Sequence, residues 1–121
     1  MVSQPFPTTI KLHQQSRKLE LAYDDGQHFE LSCEFLRVYS PSAEVRGHSP
    51  DQAVLQVGKE NVRITAVEAV GNYAVKLVFD DGHDTGLYTW EYLYDLGSRS
   101  EEYWQNYLHL LEQAGHQRGG S

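Results

Sequence analysis

The chain has 121 residues, 40% of them apolar, with seventeen acidic side chains against ten basic ones and a net charge of −7. That length suits one folded core, and the acidic balance with singly scattered lysines and arginines excludes the basic footprint a nucleic-acid binder needs. One cysteine, Cys33, rules out internal disulfides and every Cys-x-x-Cys motif, and no apolar run approaches the roughly 18 residues that cross a bilayer. The expectation is a soluble cytoplasmic protein. The opening MVSQPFPTTI lacks the cationic region and apolar core of a signal peptide.

Residues 1–7 contain Pro5 and Pro7 and read as a loose lead-in. Thr8 to His13 alternates apolar and polar side chains, predicting a strand with Ile10 and Leu12 inward. Lys18 to Tyr23 repeats that alternation with Leu19, Leu21 and Tyr23. Asp25-Gly26 then supplies a tight hairpin turn, and His28 to Leu31 returns antiparallel. Ser32 to Tyr39 shifts to helical spacing, with Phe35, Leu36 and Tyr39 on one side. Ser40 to Gln52, SPSAEVRGHSPDQ, is the polar insertion and is expected to be a surface loop.

Val62 to Val70 and Tyr73 to Phe79 are β-branched, alternating runs separated by Gly71-Asn72, a second hairpin signal. Asp81-Gly82 predicts another turn, Thr85 to Tyr88 a short return strand, and Trp90 to Leu96 a brief helix. Ser98 and Glu101 have capping-box spacing at the start of a last helix over 99–114. On that helix Trp104, Tyr107, Leu108 and Leu111 share a face, flanked by Tyr103, Leu110 and Ala114, and Gly115 stops it. The fold class is α+β, with antiparallel hairpins because tight turns cannot join parallel neighbours. The domain spans 8–115 and 116–121 form a tail.

The chain repeats a phrase. YDDGQHFELSCEFL from Tyr23 and FDDGHDTGLYTWEYL from Phe79 share an aromatic residue, Asp-Asp-Gly, a short run and Glu-aromatic-Leu. Leu21 and Tyr23 align with Leu77 and Phe79, and Glu34-Phe35-Leu36 with Glu91-Tyr92-Leu93. Two β-turn-β-helix units packed side by side account for the pattern.

Known chemistries fare poorly against these residues. His28-Phe29-Glu30 has the His-x-acid spacing of non-haem iron sites, but lacks a second histidine and an enclosing barrel, so a solvated strand face is the better reading. The zinc-deaminase half Pro-Cys-x-x-Cys is absent, as are a phosphate loop, a Gly-x-Ser-x-Gly elbow and His-Glu-x-x-His. Cys33 lies in an apolar run and is expected to be a buried small hydrophobe. His83 sits in a turn between Asp81 and Asp84, where solvation is the plain expectation and a ligand role the sharper one.

LRVYSPSAEVRGH, followed by VGNYAVKLVFDDGHDTGLYTWEYLYDLG, resembles the DUF971 family, the gamma-butyrobetaine-hydroxylase-like N-terminal domain, over about Ile10 to Leu96. In the hydroxylases this module precedes an iron- and oxoglutarate-dependent barrel and does no chemistry itself. The resemblance implies a zinc site of three cysteines and a histidine, whose cysteine positions fall on Ser40, Ser42 and Val45 and whose histidine falls on His83. Serine is a poor zinc ligand and valine none, so a closed zinc site is not expected. A weaker zinc or iron site using His83, with His48, Asp81 or Glu44, stays open.

Similar domains accompany iron–sulfur carrier ATPases. The resemblance therefore implies a non-catalytic binding or adaptor module linked to iron or iron–sulfur metabolism. Its protein partner would be such an ATPase or an oxygenase, with neither nucleic acid nor membrane involved. The candidate surface joins Arg37, Glu44, Arg46, His48, His83 and Tyr88, and the alternative is a metal-binding accessory domain using His83.

Overall fold

A computed structural model describes residues 5–42 and 55–116. Two three-stranded antiparallel sheets carry the fold, each a simple meander followed by a helix. The first comprises β1 (Pro7–His13), β2 (Lys18–Tyr23) and β3 (His28–Ser32), and leads into helix α1 (Cys33–Val38). The second comprises β4 (Ile64–Val70), β5 (Ala74–Phe79) and β6 (Leu87–Thr89), and leads into α2 (Trp90–Ser98). A last helix, α3 (Ser100–Gln113), follows.

Alternation decides which faces turn inward. Leu19, Leu21 and Tyr23 on β2 and Val75, Leu77 and Phe79 on β5 are all buried, and join Leu36 of α1 and Leu93 and Leu96 of α2 in one shared core. Complete burial of such side chains stabilises by about 1.5–3 kcal/mol each before chain entropy is counted. Helix α3 adds Tyr107 and Leu111, which form a smaller cluster with Val38. Rings of Phe35, Tyr39, Tyr103 and Trp104 stitch α3 to α1, and the Tyr39 hydroxyl donates to the Tyr103 carbonyl at 2.7 Å. Leu110, expected to flank the apolar stripe, is instead exposed to solvent.

The repeated phrase is a structural repeat, and it reaches further back than the sequence reading placed it. In both copies the first Asp of Asp-Asp-Gly accepts the amide of the residue before the first strand's bulge. Asp24 accepts Phe6 N–H and Asp80 accepts Arg63 N–H, each at 3.1 Å. The second Asp closes its own turn: Asp25 accepts Gln27 N–H at 3.0 Å and Asp81 accepts His83 N–H at 3.2 Å. The glycines hold left-handed φ values of 89° and 91°, which the turn requires and other residues resist. One strand pairing slips register around Thr8 and the other around Thr65, and both hydroxyls donate to a partner-strand carbonyl at 3.2 Å. Both short helices start alike, with Ser32 accepting from Phe35 N–H and Thr89 from Tyr92 N–H.

One sequence expectation fails here. Ser98 is not the N-cap of α3, because it is the last residue of α2 and its hydroxyl donates to the Tyr94 carbonyl at 2.8 Å. Only Arg99 separates the two helices, and α3 starts there without a side-chain cap. Its other end behaves as expected: Gly115 at φ 76° lets His116 N–H reach the Leu111 carbonyl.

Candidate binding site at the second Asp-Asp-Gly turn

The two turns share a backbone but not their surroundings. In the first, Gln27 is exposed and Asp25 accepts the Tyr94 hydroxyl of α2, at 2.7 Å, besides its own turn. In the second, the equivalent of Gln27 is His83, and Asp81 faces two cations. Arg37 of α1 donates through Nε to Asp81 Oδ2 at 2.9 Å, and Lys59 Nζ donates to the same oxygen at 2.7 Å. Each helix thus reaches across to the other unit's turn, since Arg37 and Tyr94 occupy matching places after the aligned Glu-aromatic-Leu.

Electrostatics fix the charge states. Burial alone would raise the Asp81 carboxyl, but hydrogen bonds from Lys59, the His83 amide and Arg37 outweigh it and hold it down at about 2. Asp81 is therefore ionised at any ordinary pH. The Arg37 side chain is only 9% exposed, and its Nη1 is fully covered with no hydrogen-bond acceptor among the described residues. A buried guanidinium nitrogen without an acceptor costs about 1–3 kcal/mol or more.

His83 corrects the sequence reading. It was expected to be solvated, yet only 6% of it is exposed. Its ring packs against Phe79 with centroids 6.0 Å apart, and Nε2 lies 2.8 Å from Ser40 Oγ. Ser40 and Ser42, expected on a surface loop, are buried too. Ser40 Oγ also accepts Ser42 N–H at 3.3 Å, and Ser42 Oγ shares a 2.6 Å hydrogen bond with Thr85 Oγ1. Gly86 packs so close to Ser40 that any β-carbon there would overlap the hydroxyl oxygen. Hydroxyls and imidazole form a buried clasp joining the residues after α1 to the β5–β6 turn.

Among the other sequence candidates, Tyr88 is fully buried, with its hydroxyl donating to the Leu36 carbonyl, and burial pushes its pKa well above the usual tyrosine value. Arg37, His83 and Tyr88 are thus gathered at one end of the molecule as interior groups. Glu44, Val45, Arg46 and His48 lie outside the described residues. Lys59 and Thr85 were not singled out from sequence, since a lone lysine and a lone threonine in polar runs carry no spacing signal.

Elsewhere, His28 turns to Glu20 at 2.9 Å rather than toward Glu30, on the exposed strand face that its spacing suggested. Cys33 is buried, and burial raises its thiol pKa away from reactivity.

The donor set does not fit a closed zinc site. The Ser40 and Ser42 hydroxyls are engaged with His83 and Thr85, position 45 is valine, and hydroxyls are weak ligands for zinc. Among the described residues no group of three or more His, Cys, Asp or Glu side chains converges for a metal ion. Nor is any helix among them long and apolar enough to cross a membrane.

Residues 10–94 match the family model described as gamma-butyrobetaine hydroxylase-like, N-terminal. The chain belongs to that family. Three solved structures resemble this family member. One solution NMR structure is 57% identical with a TM-score of 0.80, over 98% of this chain and 90% of its own. A second NMR structure is 49% identical with a TM-score of 0.83, over 98% and 94%. A crystal structure from Acidithiobacillus ferrooxidans, described as a DUF971-family protein of unknown function, is 41% identical with a TM-score of 0.63, over 74% and 90%. A search of curated proteins finds no match.

Proposed function

We propose that this gamma-butyrobetaine-hydroxylase-like domain is a non-catalytic binding module. Its contact region is the place where residues 39–42, leaving α1, meet the second Asp-Asp-Gly turn. The observation carrying this reading is the buried Arg37 guanidinium, whose Nη1 has no acceptor while Lys59 adds a second cation beside it. Buried donors are nearly always satisfied in finished structures, and this reading takes the uncompensated guanidinium beside a second cation as the mark of a region with more than a structural role. The clasp of Ser40, Ser42, Thr85 and His83 gives the segment a rigid root, the arrangement in which loops on a scaffold carry recognition.

The partner in this reading is a protein of iron or iron–sulfur metabolism, an iron–sulfur carrier ATPase or an oxygenase, on the strength of the family resemblance. The alternative, a zinc- or iron-binding accessory domain using His83, draws no support from the donor set among the described residues.

Capture from cell lysate tests the reading. The parent chain is compared with Glu44→Ala/Arg46→Ala/His48→Ala, both checked for the same melting midpoint. Loss of a captured protein in the triple variant is expected. An unchanged set of captured proteins would remove the support for this region.

A further inference from the structure

We propose that a cavity walled by Phe6, Tyr73 and Trp90 seats an arginine side chain of a partner protein, with Glu91 pairing its guanidinium. The cavity measures about 200 Å³ and lies at the far end of β5 from the Asp81 turn. Six extended residues separate the two places by roughly 20 Å, so the site is distinct from the contact region near Ser40. Phe6 and Tyr73 are each 51% exposed and Glu91 is exposed as well, which leaves the walls open to solvent.

Three aromatic faces share this space without stacking on one another. Ring pairs run through the rest of the molecule, yet among the described residues none includes Phe6, Tyr73 or Trp90. Rings that wall one cavity but do not stack leave a gap that a flat group can enter. The walls are also set in advance. Trp90 Nε1–H donates to the Asn72 carbonyl at 2.7 Å, which fixes the indole. The Tyr73 ring lies over Gly71, where a β-carbon would come within 3.1 Å of it. Phe6 is tied to the first Asp-Asp-Gly turn, its carbonyl accepting Asp24 N–H at 3.0 Å.

Charge and size select the occupant. No lysine, arginine or histidine among the described residues lines the cavity, and Glu91 makes no ion pair among them. The Asp24 carboxylate sits beside Phe6, whose N–H it accepts, and the whole chain carries a charge of −7. Carboxylates over aromatic faces attract a cation, through the ring quadrupoles as well as the field. Small-molecule sites run to about 300–1,000 Å³, so this smaller cavity takes one side chain rather than a cofactor. Arginine fits it better than lysine. A planar guanidinium stacks on aromatic faces and offers a carboxylate two parallel N–H donors, whereas an ammonium is a compact, strongly hydrated point charge.

Titration of the intact chain with acetyl-Gly-Ser-Arg-Ser-Gly-amide tests the site, followed by the NMR signals of the Trp90 indole N–H and the Glu91 amide. The same peptide with citrulline keeps the shape and removes the charge, and a lysine version keeps the charge and removes the plane. Tetramethylammonium chloride supplies a round cation, with sodium chloride at matched ionic strength as control. Saturable shifts with the arginine peptide are expected, weaker with lysine and absent with citrulline. Glu91→Gln weakens arginine binding about tenfold, the worth of one hydrogen bond to a charged group. Tyr73→Phe binds as the parent does, and Tyr73→Leu about threefold more weakly, the loss of one exposed cation–π contact. Both positions are exposed, so these substitutions leave the core intact.

Equal shifts with the citrulline peptide, no saturation with arginine, or affinity unchanged in both Glu91→Gln and Tyr73→Leu would overturn the site. Tighter binding of the lysine peptide or of tetramethylammonium than of the arginine peptide would overturn its assignment to arginine.

Discussion

Ser40 and His83, 43 residues apart in the chain, meet as a buried hydrogen-bonded pair at 2.8 Å. These are the positions where the family resemblance puts a cysteine and a histidine on one zinc ion. In this chain the pair at those positions is a hydroxyl and an imidazole. A metal cross-link contributes folding energy outright, whereas one buried hydrogen bond contributes about 0.5–1.5 kcal/mol. Further bonds hold the second turn, from Ser42 to Thr85 and from Arg37 and Lys59 to Asp81.

The clasp is crowded as well as bonded, so its parts are coupled. Ser40→Ala leaves the buried imidazole and Ser42 N–H without the hydroxyl and is expected to cost about 1–3 kcal/mol. Gly86→Ala pushes a methyl into Ser40 Oγ and is expected to cost about as much. In the double variant the methyl has no oxygen to meet, so the costs add to less than their sum. Urea unfolding of all four proteins measures the coupling, and strictly additive losses would show that Gly86 is not there to make room for the hydroxyl.

Asp81 makes the molecule sensitive to acid in a defined window. Its folded pKa of about 2 lies below the ordinary carboxyl value of 3.8, so its contribution is fully present above about pH 4 and is lost as pH falls toward 2. Asp81→Asn is expected to cost about 1.5–3 kcal/mol at pH 7, the range for hydrogen bonds to charged groups, and the gap to the parent protein narrows below pH 4. Urea unfolding at pH 7, 4 and 2.5 checks the sign. A gap that widens in acid contradicts it.

Helix starts give a third contrast. Ser32→Ala and Thr89→Ala each remove an N-cap acceptor and are expected to lower stability by about 1 kcal/mol. Ser98→Ala removes a hydroxyl that bonds backward within α2, and the better helix propensity of alanine offsets that loss. Thermal unfolding should rank Ser98→Ala close to the parent and the other two below it.

That contrast shows where sequence reading reached its limit. The strands and turns were legible because alternation and Asp-Gly chemistry are local, and they were read close to their observed bounds. The Ser98-x-x-Glu101 spacing misled because a helix ending and a helix beginning share one residue between them, Arg99. Burial of Ser40, Ser42 and His83 was not legible from periodicity, since polar residues in a loop normally face water. Their partners lie across the fold rather than along the chain. The family resemblance brought positions 40 and 83 together, while the chain's own pattern could not. The Thr8 and Thr65 bulges were hidden for a different reason, as threonine in a strand needs no special explanation.

Hydrogen bonds hold the 40–42 segment to the His83 turn, and they are expected to do so without a metal ion. Metal analysis of protein purified without chelator or affinity tag, beside His83→Ala, addresses it most directly. Zinc and iron well below one equivalent, the same in both proteins, are predicted. About one equivalent in the parent, lost in His83→Ala, would contradict it.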